Sequence, residues 1–445
     1  MSSNNNLTDG ALVPLMAKLS TPMVLGIIAV MSISLADTYF VSMLGTKPLA
    51  ALSFTFPVTF TIASLAIGLS AGAASVVSRA LGSNDKSRAK RLSTDSLLLS
   101  FVIVFIISTI GLFTIEPLFT LMGASGITLD FIVRYMTIWY FSMPFLIVPM
   151  VSNGLIRATG DTFWPSIIMI FSAVINVGLT PLFIFGWQFI PAMDIEGAAI
   201  ATLIARATTF FFALWIIIFR EQLVSLALDS MDVVVKSWKE ISKIALPSAA
   251  GNMTNPIAIG VVTSLLAAYG DDAVAAFGVA TRIESFLVIP MLAMSAAISP
   301  LVGQNWGAKQ FKRVRKIQVI AYSGCVIWGV IASITMIFAS EHIAMLFDID
   351  QATVEIVVQY LTIVSLSLFG YGISICGAAC FNAAGKPLIG LFNYAVRSIF
   401  FYIPLCYGAS ILFEGVGVIF CAIAVANILS GLLLAAYTFY RLDKK

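Results

Sequence analysis

Runs of about 20 or more consecutive apolar residues recur along the whole chain, and that is the length a helix needs to cross a bilayer. In hydrocarbon every backbone N–H and C=O must be paired within the protein. Only helices or closed barrels achieve this, and barrel strands would appear as short alternating segments. Here the runs are continuous, bounded by charge, Gly or Pro. They fall near residues 14–42, 48–78, 92–113, 128–152, 162–186, 194–219, 240–269, 272–303, 317–339, 352–379, 388–412 and 415–440. The expected fold is therefore an all-α polytopic membrane protein with twelve transmembrane helices. The composition agrees, with 60% hydrophobic and 11% charged residues and a mean hydropathy of +1.00. A soluble domain carries about a quarter charged residues, so an ordinary cytosolic enzyme is excluded. Disorder, nucleic-acid binding and a disulfide-built secreted module are excluded as well. The formal charge of +3 is too small to argue for an acidic partner.

The loops carry an orientation. Arg79, Lys86, Arg88, Lys90 and Arg91 lie between spans two and three, and Lys309, Lys312, Arg313, Arg315 and Lys316 between spans eight and nine. The alternate loops hold acids: Glu116, Asp130, Asp194, Glu196, Asp271, Asp272, Glu341, Asp348 and Asp350, with Lys47 the one base expected on that side. Basic loops stay in the cytoplasm, so both termini are expected there, as an even span count requires. The polar stretch from Met1 to Leu12 lacks a basic n-region, and the first span is expected to remain as an anchor.

The chain also repeats. A shift of 225 residues lays Lys18, Pro22 and Gly26 on Lys243, Pro247 and Gly251, and pairs Gly45 with Gly270, Gly82 with Gly307, Tyr135 with Tyr360 and Gly160 with Gly385. Near the end a shift of 218 aligns Glu196-Gly197 with Glu414-Gly415. Matched prolines, glycines and loop charges at one shift indicate a duplication. Because six is even, the two copies share one membrane orientation: two parallel six-helix lobes with an internal pseudo-twofold repeat. The expected division is 1–219 for the first lobe, 220–239 for a cytoplasmic linker and 240–445 for the second lobe. Parallel repeats of this kind point to a transporter.

An ionisable group inside a span is a functional candidate by default. Asp37 stands first, in Ser-Leu-Ala-Asp-Thr-Tyr, with no base within two helical turns along its own span. A carboxyl there can gain and lose a proton, which coupling to an ion gradient requires. It lies about 36 Å along the span at 1.5 Å per residue. That is near the outer interface for a straight helix, but Pro22 supplies a bend. In the fifth span Asn176 and Thr180, spaced i and i+4, share a face continued by Ala173 and Met169. Pro181 donates no hydrogen bond and so frees a carbonyl near Val177. Asn153 and Thr202 add neutral polar groups, and with Asp37 these residues form a candidate proton-linked network. In the second lobe Arg282 and Glu284 lie in span eight and Arg397 in span eleven. Arg282 and Glu284 point to opposite sides of their helix, so Glu284 with Arg397 reads as an interhelical pair. Arg206 in span six is expected to snorkel or pair.

Other chemistry finds no support. Cys376 and Cys380 are one turn apart without a histidine or acid to complete a metal site, and all five cysteines lie within spans as packing residues. His342 is the single histidine and falls in an outward-facing loop. No Gly-x-x-x-x-Gly-Lys-Ser/Thr sequence is present, so the energy is expected from an ion gradient rather than ATP.

These residues resemble the multidrug and toxic compound extrusion (MATE) family over nearly the whole chain. The likeness rests on the two six-span bundles, Ala-Asp-Thr-Tyr-Phe-Val at 36–41, Gly-Leu-Ile-Arg-Ala-Thr-Gly-Asp-Thr at 154–162, the 176–185 segment and Glu-Gly-Ala-Ala-Ile-Ala-Thr at 196–202. The acid in the first span resembles the DinF-like subgroup of bacteria and archaea. The resemblance implies an inner-membrane antiporter, not an enzyme, that expels amphipathic, mostly cationic drugs in exchange for protons or sodium. It implies Asp37 as the coupling acid, with Asn176, Thr180 and Thr202 beside it. Pro22 would be the hinge that bends the first span, and Asn153, Met169, Ala173 and Asn176 would line the drug cavity. One departure bears on the ion. The subgroup has an acid before the fifth-span proline, whereas this chain reads Thr180-Pro181-Leu182-Phe183. Without that hard ligand the expectation is protons, with sodium the alternative. No cofactor is expected. The expected partners are small organic cations and membrane lipids, with no nucleic acid, and the chain is expected to act as a monomer. The nearest rival is a lipid-linked oligosaccharide flippase of the same superfamily, which would use cavity arginines such as Arg157, Arg206, Arg282 and Arg397 to hold a pyrophosphate.

Overall fold

The computed structural model describes residues 7–188, 191–225, 230–347 and 350–442. Asp348, residues 1–6 and positions 226–229 of the expected linker therefore lie outside the described residues. The first three spans are single long helices: α1 (Leu12–Ser42), α2 (Thr46–Gly82) and α3 (Lys86–Leu121). The fourth is a pair, α4 (Gly126–Phe141) and α5 (Pro144–Ala158), bent by 44°. Then come α6 (Phe163–Phe185) and α7 (Asp194–Trp215), which ends in a π-helical turn, Ile216–Arg220. The second half follows the same plan with α8 (Met231–Leu266), α9 (Asp271–Gly307) and α10 (Phe311–Ala344). Its bent pair is α11 (Gln351–Ser365) with α12 (Leu368–Ala383), at 56°. Next is α13 (Pro387–Ala395), which continues through a π-helical stretch, Val396–Tyr402, into α14 (Ile403–Leu412); α15 (Val416–Leu442) closes the chain. Among the described residues nine segments are long and apolar enough to cross a membrane, and the two bent pairs make eleven. The second half of α8 is the twelfth span; Asn252, Thr254 and Asn255 make it less apolar than the others.

The duplication is written in backbone conformation. Gly45 and Gly270 enter α2 and α9 with φ of 108° and 106°, and Gly160 and Gly385 share a left-handed φ of 91° and 74°. Asn84 and Lys309 hold φ of 62° and 60° just past the ends of α2 and α9. Asp85 N–H then donates to the Ala80 carbonyl as Gln310 N–H does to that of Asn305, a matched pair of helix-ending turns. The two bends share a local feature as well. Pro144 opens α5, but no proline stands at the bend between α11 and α12. What both share is a fully buried serine, Ser142 or Ser367. Each hydroxyl donates back to the carbonyl three residues earlier, on Trp139 or Val364, at 2.7 Å. Such a bond competes with the helix ladder and favours a bend.

The outer surface repeats too. Phe113 on α3 is 83% exposed and Phe338 on α10 is 78% exposed. Bare aromatics along a whole helix would cause aggregation in water and are what lipid tails require. Inside, small residues let helices meet. A Cβ on Gly431 of α15 would stand 2.5 Å from the Cα of Gly370 on α12, so neither position admits a side chain.

By packing the chain forms two compact units. One holds Thr21–Leu246, the other Leu7–Ser20 together with Pro247–Lys445. The division differs from the expected 1–219, 220–239 and 240–445 at both ends. Leu7, Leu12, Met16 and Leu19 join the core that contains Leu301, Val302 and Ile317, and the Asn305 side chain donates to the Leu7 carbonyl at 3.0 Å. Conversely, the end of the expected linker and the start of the expected second lobe, up to Leu246, pack with the first unit. Trp238 Nε1 donates to the Asp95 carbonyl, Arg88 pairs with Glu240 at 3.0 Å, and Ile241 and Ile244 are buried. The two changeovers, after Ser20 and after Leu246, sit beside the repeated prolines Pro22 and Pro247.

The 154–162 motif has a structural job in the first unit. A Cβ on Gly154 would meet the Ser70 hydroxyl at 2.4 Å, so glycine is what lets α5 lie against α2. Asp161 Oδ1 accepts from the N–H groups of Phe163 and Trp164, capping α6, and Oδ2 pairs with Arg220 at 2.9 Å. Arg220 also contacts Glu221 and lies over the Trp164 ring at 5.2 Å. Burial pushes the Glu221 carboxyl up from its ordinary value, and Arg220 opposes that push. Asp161→Ala removes the cap and one ion partner together. The expected cost is about 1–2 kcal/mol, read as a lower thermal midpoint of the purified protein.

Candidate functional site

Four helices of the first unit bring polar side chains together. Asp37 stands on α1, about one and a half turns before its end, and is half-buried. Asn176 and Thr180 lie one turn apart on α6, Thr202 and Arg206 one turn apart on α7, and Tyr135 and Trp139 one turn apart on α4. The register of α6 against α7 is fixed by Gly197, where a Cβ would collide with the Phe183 carbonyl oxygen at 2.3 Å.

A continuous chain of contacts results. The Thr180 hydroxyl lies 3.2 Å from Asp37 Oδ1 and 2.8 Å from the Asn176 carbonyl. It has one proton to give and lone pairs to accept with. An ionised Asp37 competes with the carbonyl for that proton, whereas a protonated Asp37 can donate to Thr180 and leave the threonine proton on the carbonyl. Asn176 Nδ2 in turn donates to Thr202 Oγ1 at 3.0 Å. The remaining Asn176 oxygen, Oδ1, is buried with no partner, as is Asn153 Oδ1 on α5. Two unpaired amide oxygens and a carboxylate in one unit are acceptors in want of a donor or a cation.

Of the expected residues, Asp37, Asn176, Thr180 and Thr202 are joined in this chain. Asn153 is 9% exposed and not hydrogen-bonded into it. Ala173 is buried one turn from Asn176. Met169 meets α1 at Gly26, where an added Cβ would lie 3.2 Å from its sulfur and 3.1 Å from the Ser166 backbone. Pro22 sits inside α1, which runs through it as one helix.

Tyr135 was not singled out from sequence as a site residue, and Arg206 was expected to snorkel or pair. Arg206 Nη1 donates to the Ser142 hydroxyl at 2.7 Å and the guanidinium rests 5.5 Å from the Trp139 ring centre. From there it acts electrostatically on Asp37, and Tyr135 lies in the same field. Its i, i+4 relation to Thr202 was the available signal.

The second unit holds its own polar cluster. Tyr360 on α11 donates to Glu284 Oε2 on α9 at 2.6 Å. Arg397 does not supply that bond, contrary to the pairing read from sequence. Its Nε donates to Asn427 Oδ1 at 2.8 Å and its Nη1 to Asn255 Oδ1 at 3.0 Å, and its guanidinium carbon lies over the Tyr371 ring, 3.9 Å from the ring centre. Neutral amide oxygens and two aromatic faces already satisfy it, and its charge reaches Glu284 through space. Arg282 is exposed, apart from the cluster. The cysteines are free thiols, with Cys325 Sγ and Cys376 Sγ 3.6 Å apart. Among the described residues no three His, Cys, Asp or Glu side chains gather as a metal site would need.

A duplicated helical bundle with an intramembrane carboxylate tied into a polar chain defines a membrane transporter rather than an enzyme. The MatE family pattern matches residues 22–182 and again 247–408, its two copies opening at Pro22 and Pro247. The chain belongs to that family of multidrug-efflux transporters. It is 35% identical over 432 residues to a protein of Shewanella oneidensis named FAD transporter, covering 97% of this chain and 95% of that one. It is 26% identical to the multidrug export protein MepA of Staphylococcus haemolyticus, covering 97% and 94%. A mutant of the Vibrio cholerae MATE transporter VcmN superposes with a TM-score of 0.93 at 27% identity, over 98% of each chain.

The Asn176–Thr202 bond gives a direct check on the site's integrity. Thr202→Val keeps the shape but leaves Asn176 Nδ2 buried and unpaired. The expected loss is about 1–3 kcal/mol, measured as a shift in the unfolding midpoint.

Proposed function

We propose that the protein is a proton-coupled antiporter. It exports amphipathic, mostly cationic organic compounds across the cytoplasmic membrane of a bacterium or archaeon, with both termini in the cytoplasm. The observation that carries this reading is Asp37 facing Thr180, because a hydroxyl that can donate or accept serves both protonation states of the acid. Ionised Asp37, with the unpaired amide oxygens of Asn153 and Asn176, favours a cationic solute; Met169 and Ala173 supply apolar wall. Protonated Asp37 is neutral and no longer attracts the cation. That difference in affinity is what lets a proton shift an alternating-access equilibrium. Pro22 is the position where α1 can bend as the state changes.

Protons are favoured over sodium by the first unit's donor set. Sodium asks for several hard oxygen ligands, and Thr180 supplies a hydroxyl where a second carboxylate would help most. No cofactor enters the cycle, and a single chain suffices for it. One proton exchanged for a singly charged cation moves no net charge, so the pH difference drives that export, and each pH unit supplies about 1.4 kcal/mol, roughly ten-fold accumulation of solute. A second reading of the substrate is supported by the relative named FAD transporter. A flavin dinucleotide is anionic, and Arg157, Arg206 and Arg397 place fixed positive charge inside the spans.

The test is efflux of ethidium and of FAD from proteoliposomes under an imposed proton gradient. Asp37→Asn is expected to reduce proton-driven ethidium efflux at least about ten-fold, a loss of some 1.4 kcal/mol of driving interaction, with the protein still in the membrane. Unchanged efflux would remove Asp37 from coupling. Transport of FAD without ethidium would replace the cation reading with the flavin one.

A further inference from the structure

The repeat places related chemistry in both units, but with the acid moved. Tyr135 on α4 and Tyr360 on α11 are equivalent by the 225-residue shift, and so are Ser142 and Ser367 at the two bends. In the first unit the tyrosine lies in the field of Asp37, and the bend serine holds Arg206. In the second unit the tyrosine donates to Glu284, while Ser367 accepts from Asn427, which accepts from Arg397. An acid, a tyrosine and an arginine tethered to the bend therefore occur twice. Glu284 is not the repeat of Asp37, whose equivalent is the apolar Val262. The second acid comes from α9 instead of α8.

A purely structural Glu–Arg pair would show the carboxylate bonded to the guanidinium. Here Arg397 is 3% exposed and held by two neutral amides and the Tyr371 and Tyr402 rings, so its position does not depend on Glu284. Glu284 has a neutral phenol as its hydrogen-bond donor and is only half-buried. The charged and titratable groups that act on it are Arg397, Tyr360, Tyr371 and Tyr402, from α11, α12 and the π-helical stretch. Tyr360 can keep donating to Oε2 while the other carboxyl oxygen gains or loses a proton, so the bond does not fix the charge state.

We propose that Glu284 is a second proton-carrying acid of the transport cycle, positioned by Tyr360 and by the fixed charge of Arg397. This rests on the proton-antiport reading and deepens it: two protons enter for each solute exported, one on Asp37 and one on Glu284. Exchange of two protons for one singly charged cation moves one net positive charge inward, whereas exchange of one proton is electroneutral.

The experiment uses the full chain in liposomes with tetraphenylphosphonium as the probe cation, recording charge movement while the proton gradient drives exchange. Wild type is expected to be electrogenic. Glu284→Gln is expected to retain exchange but become electroneutral, and Glu284→Asp, which keeps the carboxyl, to remain electrogenic. Electroneutral exchange in wild type, or undiminished charge per cation in Glu284→Gln, overturns the proposal. A pH titration of the infrared protonated-carboxyl band on the same proteins provides a second readout. One titrating component is expected to vanish in Glu284→Gln and to return in Glu284→Asp, and its persistence in Glu284→Gln would overturn the proposal. If wild type shows no proton-driven exchange at all, the antiport reading fails, and the infrared titration still decides whether Glu284 exchanges a proton.

Discussion

A carboxylate inside a bilayer costs several kcal/mol unless something faces it, and the first unit is arranged around providing that for Asp37. Thr180 reaches it from α6, the Asn176 carbonyl competes for the same hydroxyl proton, and Thr202 holds the Asn176 amide from α7. Each partner is itself buried, so each must be satisfied in turn, and the chain of contacts links three helices. Gly197 is part of the same requirement, since no larger residue would let α6 and α7 approach closely enough to keep Asn176 and Thr202 in reach.

The same logic recurs in the second unit with different parts. Arg397 is the most deeply buried charge there, and it is met by two asparagine oxygens and two tyrosine faces rather than by an acid. In both units an arginine inside the spans is connected to the serine at the bend, directly for Arg206 and through Asn427 for Arg397. The bends are therefore both backbone features and anchor points for fixed charge. Duplication conserved the bends and the tyrosines in place, while the acids took separate positions.

Much of this was legible in the sequence because the bilayer imposes long, uninterrupted patterns. All twelve apolar segments form helix, and the 225-residue shift reappears in the φ values of Gly45 and Gly270. Asn176 and Thr180 lie one turn apart on α6 as their i, i+4 spacing indicated, and Thr180 meets Asp37. What sequence missed lies between elements. Arg206 is remote from Asp37 along the chain, and only the folding of α4 and α7 brings its charge near. Glu284 and Arg397 suggested a pair by their opposite signs, but hydrogen-bond geometry gave Glu284 to Tyr360. Packing of Leu7, Leu12 and Met16 with the second unit was hidden because an apolar helix start looks alike whichever core receives it.

In the proposed cycle Asp37 exchanges a proton for a cationic solute. The most direct measurement is proton release from the purified protein in weakly buffered detergent solution when ethidium is added. Wild type is expected to release protons on binding, and Asp37→Asn to bind more weakly with that portion of the release gone. Equal release per bound ethidium from both proteins would contradict the account.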